Sequence, residues 1–148
     1  CTGTTSQSPA QVFEMNVDRH RGGCLCGAVT FETKADLREV LVCHCSQCRR
    51  SSGHLWAATA APADKVTIHG QDDLRWYRSS DRAQRGFCSR CGSSLFWKRD
   101  GSSSLSISAG CLALPTGLRT GSHIYVEDAS DYYAIHPDER RRGISEAK

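Results

Sequence analysis

Seven of the nine cysteines in this 148-residue chain fall into three tight groups, and no other feature restricts its fold as much. GGCLCG holds Cys24 and Cys26, CHCSQC holds Cys43, Cys45 and Cys48, and FCSRCG holds Cys88 and Cys91. An odd total at CxC, CxCxxC and CxxC spacings suits a disulfide framework poorly, whereas close spacing lets thiolates converge on one ion. Cysteines used this way also point to a reducing, cytoplasmic compartment.

Cys88 and Cys91 form a zinc-knuckle pattern at the turn of a predicted hairpin. The two residues between them let the backbone curl so that both sulfurs face one ion. Gly92 then supplies a positive φ at little steric cost. Such a knuckle needs two further ligands. Cys24 and Cys26 are a natural pair, because alternate residues at a strand end project to the same side. Cys24, Cys26, Cys88 and Cys91 would make a closed structural zinc site, stapling an early hairpin to a late one across a long loop.

Cys43, Cys45 and Cys48 are then left with three sulfurs, the ligand count of zinc sites that keep one position for water or substrate. Spacing alone also allows the knuckle to pair with CHCSQC, and iron–sulfur clusters use cysteines at similar intervals. Cys111 has no partner at ligand spacing and reads as a small core residue. His44 sits between two ligand cysteines, where a histidine more often points away. Arg49 and His54 join it as candidates for contacts around the metal or the substrate, and positive charge there would lower thiol pKa values. Trp56, Trp76, Trp97 and Phe87 could wall a pocket, although aromatics at strand spacing more often fill a core.

Between frequent turn signals lie strand-like runs: Ala28–Thr33, Val40–Val42, His54–Ala61, Val66–His69, Leu74–Arg78, Ala83–Phe87, Ser94–Lys98, Leu105–Ser108 and His123–Val126. Asp131–Ile135 reads as a short helix begun by Asp131. No pattern is long enough for a major helix, so a mainly β, antiparallel domain is expected. The polar segment 1–21 contains the only methionine, Met15, and reads as a disordered leader or extraneous sequence; a lipid-anchored Cys1 is the alternative. Residues 137–148 read as a charged tail. Net charge is only +3, and the basic runs Arg49–Arg50 and Arg140–Arg142 are short, which argues against nucleic acid as the partner. No apolar run has the length of a membrane-spanning helix.

GGCLCGAVTFE, CHCSQCRRSSG and GFCSRCGSSLFW, in that order, strongly resemble the glutathione-dependent formaldehyde-activating enzyme (GFA) family, which also takes in centromere protein V. The resemblance runs from about Gly22 through HIYVEDASDYY, and a GFA-type domain over 22–136 is expected from it. It implies a tent-like arrangement of antiparallel β-sheets stapled by zinc. It also implies two zinc ions per chain, a structural one on Cys24, Cys26, Cys88 and Cys91 and a labile, catalytic one on Cys43, Cys45 and Cys48. The implied activity is that of a carbon–sulfur lyase on a thiol–aldehyde adduct, S-(hydroxymethyl)glutathione from glutathione and formaldehyde being the named case. The implied partner is a small thiol or aldehyde, and a homo-oligomer is compatible with such a domain. A non-enzymatic, zinc-stapled module binding protein or nucleic acid is the rival expectation. No extra segment stands out that would wrap a tripeptide, so the resemblance speaks more strongly for the zinc sites than for glutathione.

Overall fold

The computed structural model describes residues 19–142 and is mainly β. In chain order its elements are β1 (His20–Gly23), β2 (Thr30–Thr33), β3 (Val40–Cys43), α1 (Ser46–Ser52), β4 (Trp56–Pro62), β5 (Val66–His69) and β6 (Leu74–Ser80). They continue as β7 (Ala83–Cys88), β8 (Ser94–Arg99), β9 (Ser104–Ser108), β10 (Thr120–Ile124) and β11 (Arg141–Arg142). Among the described residues α1 is the one α-helix, and no helix is long and apolar enough to cross a membrane.

The strands form two sheets, one of three in the order β1-β2-β5 and one of eight in the order β11-β10-β3-β4-β9-β8-β7-β6. β5 to β9 lie where alternation and turn residues place them. The antiparallel expectation holds through most of both sheets, but β10 runs parallel to β3 and to β11. Parallel neighbours need a long connection, and here β3 and β10 are separated by most of the domain.

Three expectations are corrected at the edges. β1 already takes in His20 and Arg21, because Gly22 and Gly23 extend a ladder with β2 that runs back to the His20–Thr33 pair. Arg141 and Arg142 leave the expected tail to pair with His123 and Ile124. Asp131–Ile135 is a turn followed by irregular chain: Asp131 accepts from the Ser130 hydroxyl at 3.5 Å instead of capping a backbone amide. Tyr133 is meanwhile drawn inward to His44. Met15 and Cys1 lie outside the described residues.

The main core fills the space between the sheets. Phe31 of β2 meets Phe96 of β8 edge to face, with centroids 5.4 Å apart, and Val29, Leu95, Leu105, Ile107 and Leu112 close around them. Burying each such side chain stabilises the fold by roughly 1.5–3 kcal/mol. Trp76 of β6 stacks on Phe96 across Gly86, where a Cβ would lie 3.2 Å from both rings. Period-two alternation then gives the eight-stranded sheet a second working face. Leu105 and Ile107 point into the core while Ser106 points away from it, and Phe96 and Trp97 divide in the same manner. That second face carries the candidate site.

Candidate active site

The seven grouped cysteines form two sulfur clusters. In each, the sulfurs all lie within 4.8 Å of one another. Cys24, Cys26, Cys88 and Cys91 make the first. Cys24 and Cys26 follow β1, on the three-stranded sheet, while Cys88 ends β7 and Cys91 lies in the turn to β8. The Cys24–Cys26 and Cys26–Cys88 sulfur separations are 3.6 and 3.8 Å. The Val29 amide donates to the Cys24 sulfur at 3.2 Å, and the Gly92 amide closes the knuckle on the Cys88 carbonyl at 2.8 Å. Gly92 takes a φ of 74°, as the knuckle pattern requires. One side chain, Ser93, ties both loops: its hydroxyl accepts from the Leu25 amide at 3.0 Å and lies 3.2 Å from the Cys91 sulfur. The Ser93 hydroxyl and amide hold the Cys91 thiol down at about 5.

Cys43, Cys45 and Cys48 form the second cluster, and its positions follow from the chain locally. Cys43 is the last residue of β3 and faces away from the core. Cys45 is the N-cap of α1, its sulfur accepting from the Cys48 amide at 3.4 Å. One helical turn brings the Cys48 sulfur back beside it, and Gly53 ends the helix with a φ of 84° and a hydrogen bond from its amide to the Arg49 carbonyl. Three sulfurs this close cannot all ionise without a cation. Cys45 is driven down to about 2 by hydrogen bonds from Cys43 and Cys48, and Cys43 is pushed far above the ordinary thiol range by the same contacts. Both donor sets are soft and all-sulfur, and both fit zinc.

Here the two clusters part. The triplet lines a cavity of about 520 Å³ on the second face of the large sheet. Trp56 and Trp97 supply its indole walls, Arg38, Arg85 and Asp128 its charges, and Tyr125 part of its rim. Trp76 and Phe87 do not line it, and Trp76 lies exposed at the surface with one face stacked on Phe96. Tyr125 takes a φ of 56°, an uncommon conformation for a bulky residue. Burial raises its phenol above the ordinary value, and the neighbouring Cys43, Cys45 and Cys48 raise it further.

His44 turns away from the sulfurs, because strand alternation puts it on the opposite face from Cys43. It is 0% exposed and shares hydrogen bonds with Tyr133 Oη at 2.6 Å and with His123 Nδ1 at 2.8 Å. Burial lowers its pKa, and His123 and His54 add to the effect. His54 packs against Tyr132 and Tyr133 outside the cavity, and Arg49 lies on α1 without lining it. Cys111 belongs to neither cluster and packs beside the main core, its thiol raised by burial.

Sequence reasoning missed Arg38, Tyr125 and Asp128 in the cavity lining and, most consequentially, Arg85. Only 8% exposed, it donates through Nη2 to the Cys48 sulfur at 3.5 Å, and its guanidinium stands 5.7 Å from the centre of the Trp56 ring. The strand AQRGFC places Arg85 on one face with Ala83, a pairing that gives no sign of a buried cation.

The sequence profile described as "Glutathione-dependent formaldehyde-activating enzyme" matches residues 19–128. The chain belongs to that family. Among curated relatives, an uncharacterized lyase of Schizosaccharomyces pombe is 28% identical over 82 residues, covering 53% of this chain and 56% of the relative. A Halomonas elongata protein, provisionally named as a glutathione-dependent formaldehyde-activating enzyme, is 32% identical over 83 residues, covering 51% and 53%. This GFA-family chain therefore spans about half the length of the curated relatives it matches. A crystal structure of a Rhodobacter sphaeroides protein superposes with a TM-score of 0.54 at 26% identity, covering 64% of this chain and 88% of that one.

Proposed function

We propose that this chain is a zinc-dependent carbon–sulfur lyase that acts on a thiol–aldehyde adduct, such as S-(hydroxymethyl)glutathione, in the cavity beside Cys43, Cys45 and Cys48. The observation that carries the reading is the placement of this incomplete sulfur set on a cavity wall, while the complete set of four joins the two sheets. Membership of a family named for an enzyme, and a relative named as a lyase, support it.

The quartet would hold one zinc as a structural staple and the triplet a second. At the triplet, bound zinc supplies a centre that lowers the pKa of a thiol brought to it. The chain's own residues supply the rest. Trp56 and Trp97 offer apolar surface that excludes water from the reacting carbon. Arg38, whose guanidinium donates to the carbonyls of Glu39 and Ala58 at 3.0 and 3.4 Å, can attract a carboxylate of the adduct at the cavity mouth. In the cleavage direction the carbon–sulfur bond breaks, the hydroxyl loses its proton to solvent or to Asp128, and free aldehyde and thiolate remain.

The test is metal content per chain in the parent and in Cys45→Ser, with thiol–aldehyde exchange followed by NMR. Two zinc ions falling to one, with exchange lost, is the expected result. Two ions retained by the variant overturns the site assignment.

A further inference from the structure

Arg85 poses a problem that the proposed chemistry does not by itself resolve. A guanidinium almost removed from water needs a counter-charge, since an unpaired buried ion is strongly destabilising. Among the described residues no carboxylate lies within ion-pair distance of it. Its nearest polar partner is the sulfur of Cys48, and its Nη1 has no hydrogen-bond partner. The strand register holds it in place: Arg85 sits between Tyr77 of β6 and Trp97 of β8, with Trp56 under its guanidinium. The residue is therefore fixed by packing on several sides and aimed at one member of the triplet.

Charge counting shows what this placement does. A divalent cation held by three thiolates carries one net negative charge, and that charge opposes the arrival of a fourth, anionic sulfur. A fixed guanidinium against the cluster cancels it. We infer that Arg85 is a positioning residue whose charge, delivered through its hydrogen bond to Cys48, lets the sulfur triplet accept the thiolate of an exogenous thiol. Among the described residues no guanidinium donates to a sulfur of the quartet. Arg90, the nearest basic side chain in its turn, is ion-paired with Asp73 at 2.8 Å, and a closed four-sulfur site has no further sulfur to admit.

The inference rests on the triplet holding a metal, as proposed above, and its test separates the two. Cobalt(II) is loaded into the protein, and the sulfur-to-metal absorption bands are titrated with 2-mercaptoethanol, a neutral thiol that binds as thiolate, for the parent, Arg85→Lys and Arg85→Met. Two cobalt ions per chain in all three proteins, with thiol affinity about 10- to 100-fold weaker in Arg85→Met and largely restored in Arg85→Lys, is the expected result. The size corresponds to removing one charge a few ångströms from an incoming anion at the effective dielectric of a protein site. Equal thiol affinity in parent and Arg85→Met overturns the role of Arg85 while leaving the metal site standing. A parent that takes up only one cobalt overturns the lyase reading itself. Should Arg85→Met not fold, the lysine variant decides alone: a large loss of thiol affinity despite two bound ions shows that the guanidinium's hydrogen bond to Cys48, not the charge, is what matters, and the charge argument fails.

Discussion

The two sulfur clusters are made of the same element on the same sheet system, and they differ in where their chain segments come from. The quartet draws Cys24 and Cys26 from one sheet and Cys88 and Cys91 from the other, so a metal closing it would fix the sheets against each other. The triplet comes from six consecutive positions, which a strand end and one helical turn can arrange without long-range help. Long-range closure suits a structural role, because it constrains most of the unfolded chain. Local closure leaves one side of the metal position free to face a cavity. The contrast suggests that ligand count alone says less about a site's role than the sequence distance its ligands span.

The largest effect that could break this contrast is Cys88→Ser. Cys88 is fully buried at the quartet, and structural zinc in small domains is worth about 10–16 kcal/mol, as much as the whole stability of a domain. The variant should lose dispersed amide resonances and behave as an unfolded chain; a well-dispersed spectrum with an intact melting transition would mean the quartet is not the staple. Cys45→Ser should differ in kind, keeping the fold and its melting temperature within a few degrees while losing one metal and the exchange reaction. Loss of fold in both variants would erase the distinction between the clusters.

A smaller effect sharpens the view of the triplet's support. His44→Phe leaves Tyr133 Oη and His123 Nδ1 without their partner, a cost of roughly 1–3 kcal/mol for buried polar groups. Chemical denaturation should show that loss, and the metal at Cys43 and Cys45 should be chelated more readily while the quartet's metal resists. Unchanged chelation at both sites would show that His44 supports only the C-terminal segment. The smallest effect concerns an ion pair that belongs to neither cluster. Asp100 pairs with Arg78, which holds its carboxyl below the ordinary value near 3.8. The pair therefore stabilises the fold above that ordinary value, and the contribution fades as pH falls through the lowered one. A carboxyl titration by NMR with a midpoint at or above 3.8 would contradict it, and neither cluster's metal content should respond to Asp100→Asn.

Much of this was legible beforehand, for identifiable reasons. Cysteine spacing reports local geometry directly, so the grouping of sulfurs could be read from three short motifs. Strands β5, β8 and β9 could be read from alternation because each sets one face on the core, while β6 and β7 were marked by the turns that bound them. α1 could not, since SQCRRSS has no apolar stripe and is held by the Cys45 sulfur at one end and Gly53 at the other. The parallel pairing of β3 with β10 depends on contacts across nearly the whole domain, which no local pattern encodes. Asp131 resembled a helix start until the Tyr133–His44 bond, a tertiary contact, claimed the segment. Arg85 was hidden for the same cause: a strand's period tells which residues share a face, not what lies across from it.

The borders of the eight-stranded sheet carry a consequence of their own. β11, at one border, is two residues long and consists of Arg141 and Arg142, while β6, at the other, carries Arg75 and Arg78. A bare strand edge is an invitation to further pairing, and short or charged edge strands are how proteins refuse it. Arg78 is already neutralised by Asp100, so the positive charge left on these borders is that of Arg75, Arg141 and Arg142. Short or arginine-bearing strands at both borders of a wide sheet are the kind of edge that disfavours its growth into a ribbon of many molecules.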